Sequence, residues 1–210
     1  MARRARVSDQ SAPNGGSKQR IEEVALDLFA AQGFRATSVK DLMLACGLTP
    51  GALYNHFPSK DDLLFSILWR AGEELTALVD AATTSADTDD PADQLFRLCE
   101  AFALFGVRHP KETKIANVDY VELTGENLKK EIDYRKANRR RFERILEEGI
   151  AQGVFALPKL DGKNDVKHAA TALANVTLRL SEAQGPYPRG GHEALARFHA
   201  ELALSMVRAR

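Results

Sequence analysis

The sequence has few of the residues that would indicate a metal site, a disulfide framework or a membrane span. Only two cysteines, Cys46 and Cys99, occur among 210 residues, and both lie in apolar surroundings. Isolated cysteines of this kind are typical of buried free thiols, because free cysteine packs as a small hydrophobic residue. The five histidines show no metal-ligand spacing, and no apolar run reaches the roughly 18 residues of a membrane span. We therefore expect no metal, no cofactor and no contact with a membrane.

The chain also lacks an excess of charge of either sign. Its 29 Lys and Arg residues balance 29 Asp and Glu residues, and residues 1–70 carry nine basic against seven acidic side chains. Charge alone therefore gives little sign of a nucleic-acid partner. The arginine-rich N-terminus has no apolar segment behind it, which argues against a secretory signal and predicts a cytoplasmic location. Glycine-rich phosphate loops and nucleophile motifs are also missing, so catalysis is not expected.

The spacing of apolar residues predicts an all-α protein with about nine helices. No stretch alternates with a period of two for long, and the short apolar run at 153–157 has no partner strand. Breaks are expected at the polar stretch Thr83 to Asp90 and at Gly185-Pro186. A further break is expected at His109-Pro110, since the residue before a proline avoids helical angles. The predicted helices outside residues 37–60 lie near 18–32, from 59 to the break at 83–90, and near 91–108, 111–123, 165–184 and 192–208. A long, highly charged helix is also predicted within 125–155, ending near Gly149 or Gly153.

Residues 37–60 show the most specific local pattern in the chain. Thr37 or Ser38 can cap a first helix, and Gly47 stands where that helix must end, a position that favours positive φ. Thr49 and Pro50 suit the cap and first turn of a second, very short helix. Two helices joined by a short glycine-containing turn form a helix-turn-helix, whose second helix enters the major groove of DNA.

The residues of this segment also resemble a known family. The run GALYNHFPSK (51–60), followed by DDLL, is similar to the recognition helix and following turn of TetR-like transcriptional repressors. The upstream AAQGF (30–34) with Thr37 is similar to that family's end of helix one and start of helix two. The resemblance covers residues 18–69. The sequence departs from the family at Met43 and Cys46, where small alanines are usual, and at Thr49-Pro50, where a Ser-Lys-like pair is usual.

Candidate DNA contacts follow from the residues and from the resemblance. An asparagine can bond an adenine edge twice, and an alanine methyl can contact a thymine methyl, which favours Asn55 and Ala52 as base contacts. Tyr54 and His56 can donate to phosphate oxygens, and Thr37 and Lys40 could reach the DNA backbone from the first helix of the pair. The resemblance implies phosphate contacts at Thr37, Tyr54, His56 and Lys60, and places near the bases Lys40, Thr49, Pro50, Gly51, Ala52 and Asn55.

We expect a disordered basic arm over residues 1–17, a helix-turn-helix DNA-binding domain over 18–64, and a helical ligand-binding and dimerisation domain over 65–210. The arm could touch DNA, as homeodomain arms do, or be a plain solubilising tail. One short helix reads few base pairs, so specific binding calls for a homodimer on a palindromic operator. The last two helices offer a candidate interface, with packing inside one chain as the alternative, at Ala169, Leu173, Val176, Leu180, Leu195, Phe198 and Leu202.

The resemblance implies that the second domain binds a small apolar effector that releases double-stranded operator DNA. The candidate lining, with an ordinary filled core as the alternative, is Phe96, Phe102, Phe105, Ile115, Val118, Tyr120, Val121, Leu146 and Ile150. The basic run at 135–144 could bind an anionic group such as the phosphates of a coenzyme A thioester, or form an ion-paired solvated face. The layout of this half looks like family members that respond to acyl-CoA or other lipid-like metabolites. The resulting expectation is a ligand-responsive repressor; the alternative is a DNA-binding regulator or architectural factor without a small-molecule inducer.

Overall fold

The computed structural model describes residues 14–84, 89–179 and 191–208, and these ranges are almost entirely helical. The predicted all-α fold is confirmed. Two 3₁₀-helices, Pro50–Asn55 and Asp119–Glu122, accompany the α-helices. The α-helices of the described ranges are α1 (Asn14–Gln32), α2 (Val39–Ala45), α3 (Lys60–Thr84), α4 (Pro91–Arg108), α5 (Pro110–Val118), α6 (Gly125–Ala151), α7 (Val166–Leu178) and α8 (Gly191–Ser205).

Three features differ from the expectations. Helix α1 begins at Asn14, so residues 14–17 of the predicted arm are helical, and residues 1–13 of that arm lie outside the described residues. An unpredicted antiparallel pair, β1 (Lys159–Leu160) and β2 (Lys163–Asn164), follows α6. It is too short to show a period of two in the sequence. Among the described helices, none combines the length and apolarity that crossing a membrane requires.

Two of the three helix starts between residues 38 and 60 have a capping side chain. The Ser38 hydroxyl accepts the Asp41 N–H at 3.1 Å, so Ser38 and not Thr37 is the cap of the first helix. The Ser59 hydroxyl accepts the Asp62 N–H at 3.1 Å and caps α3 in the same way. Gly47 has φ +70°, the left-handed conformation that its position was expected to need. Thr49 occupies the cap position before Pro50, but its hydroxyl makes no capping hydrogen bond, which corrects the role predicted for it.

The apolar side chains form two main cores that share helix α3. The first, which we call the head, consists of α1, α2, the 3₁₀-helix Pro50–Asn55 and the start of α3, packed around Phe29, Leu42 and Leu53. The second, which we call the body, contains the rest of α3 together with α4, α6, α7 and α8. Both cysteines are buried and free, as expected, and burial raises the pKa of the Cys99 thiol to about 12.

Helix α5 lies between the head and the body. Ile115 of α5 and Leu123, which follows the 3₁₀-helix Asp119–Glu122, are buried in the core of the head. Both are distant in the sequence from the other residues of that core. On the same side, Lys114 Nζ donates to the Ala30 carbonyl at 2.6 Å. These contacts fix α1 directly against α5, so the position of α5 and the position of the head depend on each other.

Candidate functional sites

The 3₁₀-helix Pro50–Asn55 has one buried side and one exposed side. Leu53 and, just after the helix, Phe57 are buried in the head, with 0% and 3% of their surface exposed. Tyr54 is 60% exposed, and Asn55 beside it is also exposed. The two apolar residues therefore fix the orientation of the helix and leave its polar side chains to face outward.

Most of the predicted DNA contacts lie on this outward surface. The short helix follows α2 through the turn at Gly47, and the two helices pack against each other. Ala52 and His56 are half-buried. Exposed on α2 and the short helix are Lys40, Thr49, Pro50, Gly51, Tyr54 and Asn55.

Thr37 and Lys60 do not lie on this surface in the way predicted. Thr37 is fully buried, and its hydroxyl donates to the Gly33 carbonyl at 2.9 Å, so the side chain supports the turn after α1 from inside. Lys60 Nζ donates to the carbonyls of Phe34 at 2.8 Å and Thr37 at 2.9 Å. The side chain of Thr37 therefore has an internal supporting position, which corrects its assignment as a phosphate contact. Lys60 is only partly buried, so it supports the same turn while its phosphate contact stays a prediction.

The ammonium of Lys60 is held in a partly buried site that contains acidic groups. It lies 4.0 Å from the centre of the Phe34 ring, within the range of a cation–π interaction. Burial lowers the pKa of Lys60, and the carboxylates of Glu122 and Asp119 act against that shift. Burial raises the pKa of Asp119, the buried first residue of the 3₁₀-helix Asp119–Glu122. Lys60 therefore links the turn after α1 electrostatically to the segment that follows α5.

A cavity of about 440 Å³ opens in the body between α3, α4, α5, α6 and α7. That volume is in the range of small-molecule sites, which run from about 300 to 1,000 Å³. Its apolar wall comes from α3, α4 and α7 and includes Leu68, Leu75, Phe102, Phe105 and Leu178. Its polar wall comes from α5, α6 and α7 and includes Thr113, Asn117, Glu131, Tyr134, Arg135, Asn138, Arg139, Thr171 and Asn175.

Three predicted lining residues do border the cavity: Phe102, Phe105 and Tyr120. Val118 and Val121, predicted to point inward, are 61% and 57% exposed. For Val121 the prediction was wrong because it extended the period of α5 past residue 118, where the chain changes to a 3₁₀-helix and buries Asp119 instead. Val118 is the last residue of α5 and lies on its exposed side.

The other predicted lining residues pack elsewhere. Ile115 points away from the cavity into the head. Phe96 lies near the start of α4, where Arg197 of α8 approaches its ring at 5.7 Å, whereas the cavity borders the second half of α4. Leu146 and Ile150 lie near the end of α6 and contribute to the filled part of the body core.

The polar wall was not predicted from the sequence, because the predicted lining consisted only of aromatic and aliphatic residues. Glu131 and Asn138 of α6 are buried, with 4% and 9% of their surface exposed. They are seven residues apart and therefore share one helix face with Phe142. Polar residues at core positions of a charged helix were the sequence signal for this wall.

The basic run on α6 is largely ion-paired, yet two of its arginines border the cavity. Arg135 Nε donates to Glu131 at 2.7 Å, and Arg139 Nε donates to Glu143 at 2.8 Å, as the four-residue spacing predicted. Arg135 also donates to the Ala116 carbonyl and lies 3.8 Å from the centre of the Tyr120 ring. The ion-paired interpretation of this run is thus correct for Arg135 and Arg139.

The predicted dimer residues differ in how far they are exposed. Phe198 and Leu202 lie four apart on α8 and are 59% and 44% exposed, and Met206 just beyond the helix is 48% exposed. Leu173 is instead buried in the body core, which corrects its assignment to the interface. Leu180 lies outside the described residues, and the half-buried members are Ala169, Val176 and Leu195.

Comparison with protein families agrees with this two-part organisation. A family model for bacterial regulatory proteins of the tetR family matches residues 21–67. A second model, for the tetracyclin repressor-like C-terminal domain, matches residues 88–207, more than half of the chain. The chain belongs to the TetR family. Members of this family are regulators of transcription and not enzymes.

Individual relatives match over different lengths. The transcriptional repressor KstR2 of Mycobacterium tuberculosis (strain H37Rv) is 30% identical over 140 residues, which is 66% of this chain and 68% of that protein. KstR2 of Rhodococcus jostii is 38% identical over 61 residues, and there the match covers 29% of this chain and only 30% of the relative.

Solved structures extend the similarity of the fold to almost the whole chain. A tetR-family regulatory protein from Rhodococcus RHA1 superimposes with a TM-score of 0.79 at 24% identity, covering 92% of this chain and 98% of that one. AibR, in complex with isovaleryl coenzyme A and operator DNA, superimposes with a TM-score of 0.71 at 23% identity, covering 89% of this chain and 97% of AibR. At these identities the likeness concerns the fold alone.

Proposed function

We propose that this protein is a dimeric repressor that binds a palindromic operator and is released by an apolar small molecule of the lipid-like or acyl-CoA class. Family membership and the named repressors among its relatives support the DNA-binding part. AibR, whose fold is similar, binds isovaleryl coenzyme A and operator DNA, which supports a ligand of the acyl-CoA or a lipid-like class.

The DNA-reading surface in this proposal is formed by α2 and the 3₁₀-helix Pro50–Asn55. Asn55 and Ala52 contact base edges, and Tyr54 and His56 bond phosphate oxygens. Lys40 is exposed on α2 and supplies a further charge for the DNA backbone. We place the end of the DNA-binding domain at Leu68, one turn later than residue 64, because the buried side chains of α3 change from the core of the head to that of the body between Leu68 and Ala71.

Two copies pair through α8 and α7. The exposed stripe of Phe198, Leu202 and Met206 is costly to leave in water, because each large apolar side chain gains about 1.5–3 kcal/mol on full burial. A two-fold axis through this stripe would place the same side chains opposite each other. The two heads then meet successive turns of the major groove, about 34–36 Å apart.

The effector site is the cavity in the body, and one observation supports its control over DNA binding. Thr113, Ala116 and Asn117 on one side of α5 border the cavity, while Lys114 and Ile115 on the other side hold the head. A ligand that prefers a different position of α5 therefore shifts the head with it, and lowers DNA affinity by its differential affinity for the two states.

The proposal is tested by selecting operator sequences from a random pool of duplex DNA with the purified protein. Anisotropy of the selected duplex is then followed while acyl-CoAs, fatty acids, steroids and aromatic acids are added. We expect a palindromic sequence and release by at least one of these ligands. Phe102→Trp, which adds bulk to the cavity wall within the core of the body, should change the ligand dose response and leave operator affinity unchanged.

Operator binding that no compound reverses would contradict the effector part and favour a regulator without a small-molecule inducer. A selected sequence without two-fold symmetry would contradict binding as a symmetric dimer.

A further inference from the structure

The hydroxyl of Thr113 stands out among the polar groups of the cavity. Only 3% of the residue is exposed, and within the described part of the chain its Oγ1 has no hydrogen-bond partner. The residue borders the cavity from α5. Thr171, a second threonine of the cavity wall, differs in that its hydroxyl donates to the Lys167 carbonyl at 2.9 Å. A buried hydroxyl without a partner is unfavourable, so a group that completes its bonding is favoured there.

We propose that Thr113 is the hydrogen-bonding anchor for the effector, and that the effector carries an uncharged oxygen, a carbonyl or a hydroxyl, on an apolar body. This inference rests on the proposed function and names the chemistry of its ligand. A threonine hydroxyl both donates and accepts, so it can bond either kind of oxygen. The apolar body lies against the wall formed by Phe102 and Phe105.

The charges around the cavity explain why the oxygen at this point is uncharged. The guanidinium groups of Arg135 and Arg139 are already bonded to Glu131 and Glu143. The residue that precedes Thr113 on the cavity wall, Glu112, is itself acidic. Arg179 also borders the cavity, from the end of α7. An anionic oxygen at Thr113 would be repelled by the carboxylate of Glu112, its neighbour on α5.

The position of Thr113 also explains how an anchor there would reach the DNA-binding surface. Lys114 and Ile115, the next two residues of α5, contact the head through the Ala30 carbonyl and the core of the head. Lys111, two residues earlier, bonds Asp27 of α1 at 2.7 Å. A hydrogen bond to Thr113 therefore acts on the turn of α5 that holds α1.

The test uses a matched pair of compounds, 2-decalone and decalin, which share a saturated bicyclic body and differ in one carbonyl oxygen. Calorimetric titration of the full-length protein gives the ratio of the two affinities. We expect the native protein to bind 2-decalone more tightly than decalin. In Thr113→Val the ratio of the two affinities should fall by about five- to tenfold, which is about 1.0–1.4 kcal/mol at 1.4 kcal/mol per tenfold. Thr113→Ser should keep the preference.

Thr171→Val is the control, because it removes the same hydroxyl from an exposed position of the wall where the bond is already made within α7. It should keep the native preference for 2-decalone. Thermal melting checks that each variant is folded, and Thr113→Ala replaces Thr113→Val if the valine variant does not fold. Three results would overturn the anchor. The native protein does not bind 2-decalone, or Thr113→Val and Thr113→Ala keep the native preference for 2-decalone over decalin. The third is that Thr171→Val loses as much of that preference as Thr113→Val.

Release of the operator by 2-decalone is measured separately. Binding that depends on Thr113 but leaves the operator bound would support the anchor and contradict the proposed release by a ligand. Release that is unaffected by Thr113→Val would support release by a ligand and overturn the anchor.

Discussion

Replacing Lys60 with methionine removes the ammonium that joins the turn after α1 to α3, and keeps a side chain of similar length. The structure gives this ammonium two hydrogen bonds to carbonyls, at 2.8 and 2.9 Å, and a position over the Phe34 ring. Bonds to a charged group contribute about 1.5–3 kcal/mol each at most, and a cation–π contact about 0.5–1 kcal/mol. The cost of partly burying the charge offsets much of this. We expect Lys60→Met to lower the free energy of unfolding by about 2 kcal/mol.

Two measurements separate an internal support from a phosphate contact. In a chain of this length a loss of about 2 kcal/mol lowers the melting temperature by about 4–8 °C. Operator affinity should fall for all sequences, because the reading surface is less well held. The slope of log K against log salt should stay the same, whereas loss of a phosphate contact would reduce its magnitude by about 0.9.

Lys40→Met provides the control. Lys40 is exposed on α2 and is proposed to supply a charge for the DNA backbone. Its replacement should leave the unfolding free energy within about 0.5 kcal/mol of the native value and should reduce the salt slope by about 0.9. A Lys60→Met variant that melts at the native temperature and shows the reduced slope would refute the supporting role and restore Lys60 as a phosphate contact.

Three further predictions concern the DNA surface, the dimer and the body. Asn55→Ala should alter base preference in a selection experiment by about 1–3 kcal/mol at one position, whereas Tyr54→Phe should weaken binding evenly; the same uniform loss for both would make Asn55 a phosphate contact. Phe198→Glu should shift sedimentation from dimer to monomer and weaken operator binding, and an intact dimer would contradict the α8 interface. Gly106→Ala places a methyl 2.5 Å from the Leu178 carbonyl and should destabilise the protein by about 1–3 kcal/mol in urea unfolding, unlike Gly51→Ala, where no atom lies within 4 Å.

The head was predictable from the sequence because its structure is set by local rules. Ser38, Gly47 and Ser59 act within a few residues of their own positions, as caps or as a left-handed turn. The inward positions of Leu53 and Phe57 follow from their spacing. What the local rules missed at Thr37 and Lys60 were bonds across the turn between α1 and α2, or from α3 to that turn.

The cavity was less predictable because its lining comes from helices that are distant in the sequence. Phe102 and Phe105 were found because aromatic residues near the end of an apolar helix indicate a core. Tyr134, Asn138 and Thr113 were not predicted. The first two lie on a highly charged helix and Thr113 lies near a proline break, and in the sequence alone both settings indicate solvent exposure. Only the packing of α5 and α6 against α3 and α4 brings them to the cavity wall.

The same packing explains how a ligand in the cavity would change the position of the head. Ile115 and Leu123 are buried in the core of the head and contribute about 1.5–3 kcal/mol each to its contact with α5 and the following turn. The exposed pair Lys111–Asp27 adds at most about 1 kcal/mol. Allosteric coupling energies are typically about 1–3 kcal/mol, which is smaller than the sum of these contacts. The free energy that a ligand supplies by displacing α5 is therefore too small to break the contact between α5 and the head. The head would then move together with α5.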